Sequence, residues 1–331
     1  MRSSQCVDVL TDLLERARAR GAGFSHSTVR GPFGLVFPAV PGLAVHAIVE
    51  GEVHLWIDED EPLHLLGGDI VLVRGGLDHR LATSPQATCR PLMEFMDSAR
   101  VSDRRFVEGE GDPSVFFCGA YLFEGDICTQ LLDLLPDTLR LRPAAGSQLR
   151  MTLDLLAREM EHDLPGQQTL LDRLLDVALV QMLREHFAEP AADAPGWYRA
   201  SADPQLGLAL RAVHAEPARP WTVESLAAEA SLSRAAFARR FTAAVGMAPL
   251  AYVTDWRMAL AREQLRDSKD QIAAVASTLG YASEFSFAAA FKRHHGVPPG
   301  RWRNEPREGA ARRVPGSENE RAARVFANDV S

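Results

Sequence analysis

At 331 residues the chain is long for one core, and two folded domains are expected. Apolar residues make up 46% and charged residues 24%, the balance of a globular protein rather than of a disordered or fibrous one. No run of about 18 apolar residues occurs, which excludes a membrane-spanning helix, and the net charge of −8 excludes a chain that is basic throughout. That charge is unevenly spread. Residues 1–200 hold 18 basic and 30 acidic residues (−12), residues 201–305 hold 13 and 10 (+3), and residues 306–331 hold 5 and 4 (+1). A polyanion is repelled by the first part, and residues 201–305 are the only clearly basic folded region. The start, Met1-Arg2-Ser3-Ser4-Gln5-Cys6, lacks the apolar centre of a secretion signal, so the expected place is the cytoplasm. Four cysteines in a chain of this size do not make a disulfide framework.

Val7 to Arg20 carries helical periodicity and ends at Gly21, predicting a short first helix. From Phe24 to Phe117 short alternating runs are divided by Gly, Pro and Asp, for instance Leu43–Val49, Glu52–Ile57 and Asp69–Val73. Evenly spaced short strands of this kind predict a sandwich or barrel. Cys118 and Cys128 then flank a segment that turns through Glu124-Gly125-Asp126, within reach of a disulfide if it forms a hairpin. Two kinds of reading stand: a reversible thiol switch or a metal clip with a nearby His, or two small buried apolar side chains. Cys6 and Cys89 have no evident partner.

Leu131–Leu139, Leu149–Glu161 and Thr169–Phe187 read as amphipathic helices. Their leucine stripe is wider than a small barrel needs, which predicts a homodimer held by this region. Glu189–Ala202, with Pro190, Pro195 and Gly196, reads as a linker. Near the C-terminus two helix-turn-helix patterns lie fifty residues apart. The first runs from Val223 through a turn at Ser231-Leu232-Ser233 into Arg234–Phe241. The second runs from Ile272 through Leu279-Gly280-Tyr281 into Ser283–Arg293. Each second helix opens on a Ser N-cap and carries aromatic residues at helical spacing. Such a helix enters a major groove of double-stranded DNA. After Arg303 the composition turns to Arg, Glu, Ala, Gly, Pro and Ser, predicting a disordered tail.

Residues 203–303 resemble the DNA-binding domain of the AraC/XylS transcription regulators. The residues that carry the resemblance are Ser231-Leu232-Ser233, Phe237, Arg240-Phe241, Gly246-Met247-Ala248-Pro249, Arg257-Met258-Ala259-Leu260-Ala261, Leu279-Gly280-Tyr281, Phe291-Lys292-Arg293, Gly296 and Pro298-Pro299. The resemblance implies that Ala235, Ala238 and Arg239 face bases in the first unit, and Glu284, Phe285, Ala288 and Ala289 in the second. Arg239 is the expected guanine reader, because its fork matches that base edge. Glu284 suits a cytosine amino group, or simply the helix N-terminus, and Phe285 a thymine methyl. Where the family often has Arg, the second unit has Ala289. Ser233 and Ser283 cap the helices whose N-termini meet phosphate. Arg234 and Arg240 are expected to serve phosphates or solvent, and Lys292, Arg293 and Arg301 phosphates.

The strand region resembles the cupin-type sensor of such regulators, through Pro41-Gly42, His46, Glu50-Gly51, Gly67-Gly68-Asp69 and the spacing from Gly68 to His79. In metal-holding cupins these motifs supply His and Glu ligands, which map here onto His46, Glu50 and His79. Two imidazoles and a carboxylate suit a divalent metal, Zn or Fe. The first motif, His46-Ala47-Ile48, lacks the second His of the metal-holding pattern. The other reading is a pair of hydrogen-bonded histidines lining a small-molecule pocket.

The expected architecture is therefore α+β and multidomain. Residues 1–130 form a cupin-like β-barrel sensor that includes the first helix, 131–188 a helical dimerisation region, 189–202 a linker, 203–304 an all-α tandem helix-turn-helix domain, and 305–331 a tail. The expected function is a non-enzymatic, sequence-specific transcription regulator that senses a small-molecule or redox signal. Its expected partners are double-stranded DNA, an effector, a second copy and RNA polymerase, with no cofactor beyond a metal in the barrel. The rival is a metal-dependent cupin oxygenase or isomerase fused to a DNA-binding module.

Overall fold

The computed structural model of the chain describes residues 8–16, 24–40, 42–102, 105–121, 132, 135–160, 164–189, 194–268 and 270–304. They fall into two compact units. One draws on Ala19–Phe123 and Leu135–Glu189, the other on Met1–Arg18, Glu124–Leu134 and Pro190–Arg307.

The first unit is built on twelve strands: β1 (Phe24–Arg30), β2 (Gly34–Phe37), β3 (Leu43–Glu50), β4 (Glu52–Ile57), β5 (Leu63–Leu66), β6 (Ile70–Arg74), β7 (His79–Ala82), β8 (Arg90–Pro91), β9 (Arg100–Ser102), β10 (Arg105–Gly109), β11 (Pro113–Tyr121) and β12 (Thr138–Leu141). They make a seven-stranded sheet, in the order β12-β6-β3-β11-β1-β10-β9, and a five-stranded sheet, β5-β4-β7-β2-β8. Ile48, Val71 and Phe116 from the larger sheet share one apolar core with Phe37, Val53, Leu55 and Leu81 from the smaller. Strict alternation on β4, with Val53, Leu55 and Ile57 buried, fixes which face turns inward.

Two elements of this unit differ from expectation. The helix predicted over Leu131–Leu139 gives way at its end to β12, which pairs antiparallel with β6 (Thr138↔Val73, Leu141↔Ile70). Leu139 and Leu141 are buried while Arg140 is exposed, a period of two that follows the break at Pro136. Arg140 and Arg142 then close on the buried Asp69 carboxylate at 2.7 and 2.5 Å, holding the strand to the β5–β6 turn. Leu92–Ala99 forms a helix (α2) inside the strand-rich region; Leu92, Phe95, Met96 and Ala99 are its buried face, at the spacing i, i+3, i+4, i+7. The predicted helices after residue 148 form as α3 (Gln148–Glu159) and α4 (Gln167–Ala188) and pack together as a hairpin. The Tyr121 hydroxyl, at the end of β11, donates to the Leu175 carbonyl of α4 at 2.8 Å. Met151, Leu155, Leu164, Leu170 and Val177 remain exposed on the hairpin.

The second unit is all helical. It contains α5 (Gly196–Ala202), α6 (Leu206–Ala215), α7 (Val223–Glu229), α8 (Arg234–Val245), α9 (Pro249–Asp267), α10 (Ile272–Thr278), α11 (Glu284–His295) and α12 (Pro299–Asn304). The helix at Val9–Arg16 (α1), expected with the sensor, belongs to this unit. Val9 and Leu13 enter the same core as Leu206, Leu210 and Val213. Beside them His214 Nδ1 lies 2.7 Å from Asp12 Oδ2, and His214 Nε2 lies 2.8 Å from the Tyr252 hydroxyl. The predicted linker 189–202 is likewise helical from Gly196. Ala200 is fully buried, and a side chain at Gly196 would meet the Val245 carbonyl oxygen at 2.2 Å, so this segment is part of the packed domain. The expected tail, 305–331, lies outside the described residues.

Candidate nucleic-acid interface and sensor chain

The two helix-turn-helix units repeat each other at an offset of fifty residues. Thr222 caps α7 with a capping box to Ser225, and Ser233 caps α8 by accepting from the Ala236 amide. In the second unit Ser283 caps α11 by a reciprocal box with Ser286. Phe237 and Phe241 bury one face of α8, and Phe287 and Phe291 bury the same face of α11. Both helices end at a glycine in the left-handed region, Gly246 (φ 87°) and Gly296 (φ 77°), where a Cβ would be strained. The 19-residue α9 joins the units and spans about 28 Å at the helical rise.

Burial of these phenylalanines decides what the opposite faces present. On α8 the face holds Ala235, Ala238 and Arg239; Arg239 is exposed, and its guanidinium makes no hydrogen bond or ion pair with the described residues. Arg234, exposed at the start of the helix, pairs with Glu224 at 2.8 Å. Arg240 is not placed as expected for phosphate or solvent. It bonds Gln205 Oε1 at 2.7 Å and Asp203 Oδ2 at 2.8 Å, because it lies one residue from Phe241, on the flank that turns toward α6. The Leu206 amide first, then the Gln205 amide and the Arg240 guanidinium, hold the Asp203 carboxyl below its ordinary range. On α11 the face holds Phe285, Ala288, Ala289 and, two turns on, Lys292, with Glu284 at the first helical position. Phe285 is 85% exposed, while Phe287 and Phe291 are fully buried. Lys292 and Arg293 are exposed, as is Arg301 on α12.

In the strand unit His46 and His79 meet. His46 points inward from β3 and His79 from the start of β7, so their Nε2 atoms, 2.7 Å apart, join the two sheets. The other nitrogen of His46 lies 2.8 Å from Cys118 Sγ on the neighbouring strand β11, where the two residues are register partners. His79 Nδ1 lies 3.4 Å from the Leu77 carbonyl. One proton arrangement satisfies the chain: the Cys118 thiol donates to His46 Nδ1, His46 Nε2–H to His79 Nε2, and His79 Nδ1–H to Leu77. All three groups are neutral in it. Burial supports neutrality, since it holds His46 well below the ordinary imidazole range, brings His79 down to about 4, and pushes the Cys118 thiol well up. Phe37 closes the group, stacked on His79 at 5.2 Å and edge-on to His46 at 4.6 Å.

This arrangement does not fit a cupin metal centre. His46 spends its two nitrogens in opposite directions, and Glu50 is exposed at the far end of β3. Among the described residues no three His, Cys, Asp or Glu side chains are placed to hold one ion. Cys118 is buried, as one of its two readings has it, and lies against His46; Cys128 lies outside the described residues. His46 lies on a strand expected over Leu43–Val49, whereas Cys118 falls just past the expected strand region, and the pairing of β3 with β11 was not readable. No helix among the described residues is long and apolar enough to cross a membrane.

Comparison with known proteins agrees with both halves of this picture. Residues 8–188 match the family described as Cupin, and residues 226–305 the family described as Helix-turn-helix domain. A putative AraC-like transcription regulator of Streptomyces lividans is 32% identical over 304 residues, covering 91% of this chain and 99% of that protein. The HTH-type transcriptional regulator AlkR of Acinetobacter baylyi is 29% identical over 306 residues, covering 90% and 100%. The crystal structure of the DNA-binding domain of AdpA, a global transcriptional factor in complex with a target DNA, is 31% identical, covering 31% of this chain and 91% of that domain, with a TM-score of 0.29. The chain belongs to the AraC-like transcription regulators, with an N-terminal cupin domain followed by a helix-turn-helix DNA-binding domain.

Proposed function

We propose that α8 and α11 enter successive major grooves on one face of double-stranded DNA, and that Arg239 reads a guanine there. The observation that carries this is the pair of equivalent helices, each buried by the same two phenylalanines and each turning its opposite face outward. The 28 Å or so spanned by α9 is close to the roughly 34 Å of one DNA turn. Lys292, Arg293 and Arg301 serve phosphates, which position the domain without specifying sequence. Arg240, tied to Asp203 and Gln205, braces α8.

The cupin unit is the sensor, and its signal acts on the neutral chain Cys118–His46–His79. That chain joins the two sheets, so a ligand or oxidant that breaks it changes how they are held together. The exposed apolar side chains of α3 and α4 support a homodimer through the helical hairpin. Leu155→Glu with Leu170→Glu in the full chain is expected to shift sedimentation from dimer to monomer; an unmodified protein already monomeric at micromolar concentration would reject the dimer.

The test of the main reading is selection of bound duplexes from random-sequence DNA, with the wild type and with Arg239→Ala. The wild type is expected to enrich one bipartite sequence, and the variant to lose preference at one guanine of it. Uniform loss of affinity with every base preference intact would remove Arg239 as a reader.

A further inference from the structure

We infer that the second recognition helix reads the C5-methyl group of thymine, with Phe285 making the contact. This rests on the reading of α11 as a groove-entering helix and gives that helix its base chemistry.

The argument begins with exposure. Phe285 has 85% of its surface in water, about twice the fraction of Leu208 (43%) or Leu250 (42%), the other large apolar side chains exposed in the helical unit. Among the described residues nothing makes use of its ring, since Phe287 and Phe291 fill the core on the other side of the helix. A single exposed apolar side chain is ordinary on a protein surface, so it is the place of this ring that points to a partner.

Position names the partner. Phe285 is the second residue of α11, and the N-terminal residues of a recognition helix are those that meet base edges. Ala288 and Ala289, at i+3 and i+4, lie on the same face and offer neither donor nor acceptor. The Ser286 hydroxyl is committed to the cap, 2.8 Å from the Ser283 carbonyl and 3.3 Å from the Ser283 amide. Between Glu284 at the start of the helix and Lys292 two turns on, the face is therefore apolar, with a bulky ring beside two small side chains. In the major groove the one apolar group that a base pair presents is the thymine methyl. The two units then divide the work. At the positions equivalent to Phe285 and Ala289 the first helix has Ala235 and Arg239, an apolar stub and a guanidinium. The expected operator is asymmetric, with a guanine under α8 and a thymine under α11.

The experiment uses the full chain and the duplex it selects from random-sequence DNA. Each thymine is replaced singly by deoxyuridine, which removes the methyl and leaves every hydrogen-bonding group in place. Affinity is expected to fall about fourfold at one or two thymines of a single half-site, the factor for one buried methyl. Phe285→Ala is expected to bind the parent duplex more weakly by at least that factor and to bind its thymine and uridine forms equally, whereas Phe285→Leu keeps part of the discrimination. The ring is in solvent, so an unchanged thermal midpoint accompanies both substitutions. Uridine that is silent at every position overturns the inference, as does an equal loss by Phe285→Ala on thymine and uridine duplexes; the latter would point to a protein partner or to general packing instead. Those outcomes leave the domain's role in DNA reading intact. A wild type that selects no sequence overturns that role and this inference with it.

Discussion

The two helix-turn-helix units are the same object inside and different objects outside. Ser233 and Ser283, Phe237 and Phe287, Phe241 and Phe291, and Gly246 and Gly296 occupy equivalent places as cap, core, core and stop. The outward positions diverge at once: Arg234 faces Glu284 in the comparison, Ala235 faces Phe285, Arg239 faces Ala289 and Thr242 faces Lys292. Packing constrains the first set, because a buried aromatic has few substitutes of the same shape. On the proposed reading, DNA is what constrains the second. The lesson is that shape and sequence preference are separable in this domain, and each can be broken without the other.

The largest effect expected is on the shared part. Phe237→Ala and Phe287→Ala should each cost about 3–5 kcal/mol of stability, the range for truncating a fully buried phenylalanine. Urea unfolding of the full chain, followed by tryptophan fluorescence, checks this. A loss at one site several-fold smaller than at the other would mean that the two cores only look alike.

Next comes the first unit's reader. Arg239→Ala should cost about 1–3 kcal/mol of operator affinity while leaving stability unchanged. Arg240→Ala, one residue away, should show the reverse: a lowered unfolding midpoint, from losing the contacts to Asp203 and Gln205, with base preference unaltered. Binding isotherms on single-base variants of the operator, run beside thermal melts, separate the two. If both arginines behaved alike, the assignment of faces on α8 would be wrong.

How much of this was legible in the sequence follows from the same division. The helical repeat was readable because Ser caps, paired phenylalanines and terminal glycines are local signals at fixed spacing. The cupin strands and the match of both halves to the regulator family were readable for similar reasons. What failed was non-local. Nothing near Asp12 announces that its helix packs with His214 and Tyr252, some two hundred residues away. Arg240 reads as a free cation until Asp203 and Gln205 are folded beside it. Nothing near Cys118 announces its contact with His46 on the adjacent strand. Thr138–Leu141 reads as the end of a helix because four alternating residues are too few to outweigh the leucines before them.

Acid should distinguish the units by a smaller amount. His295 on α11 is half-buried between Phe291 and Trp302, and its place in α8 is taken by Val245. Burial first, then His294 and Arg262, bring His295 down to about 4 from an ordinary 6.5. The unfolded chain therefore binds the extra proton between these values, so stability is lost as pH falls from about 6.5 toward 4. Discounted for the exposed half of the ring, the loss is about 1 kcal/mol. His79 in the sensor, also brought down to about 4, titrates in the same window. Local readout is therefore needed: amide protection in α11, taken relative to the intrinsic exchange rate at each pH, should fall from pH 7 to pH 5 more than in α8, and His295→Val should flatten that difference. Equal loss of protection in both helices would assign the effect elsewhere.

The smallest effect expected is at the first residue of each recognition helix, where the units carry opposite charge. Arg234 is paired with Glu224 across 2.8 Å of solvent-exposed surface, and both side chains are more than half exposed. Such a pair contributes roughly 0–1 kcal/mol to stability. On DNA the arginine has a choice, because a phosphate at the helix N-terminus competes with the carboxylate for the same guanidinium. If Glu224 keeps it, Arg234→Ala should leave the salt dependence of binding nearly unchanged, whereas Lys292→Thr, which copies Thr242 of the first unit, should reduce the slope by about one unit. If phosphate wins, Arg234→Ala should reduce the slope by the same amount, and Glu224→Gln should strengthen binding by freeing the arginine. The structure favours the first outcome for a geometric reason. Glu224 lies in the opening turn of α7 and Arg234 is the first residue of α8, so the helix-turn-helix brings the two side chains within reach of each other before any phosphate arrives. Affinity measured at several salt concentrations for the three variants decides between them. A full-unit change in slope for Arg234→Ala would show that the first unit, like the second, holds the backbone with its own cation.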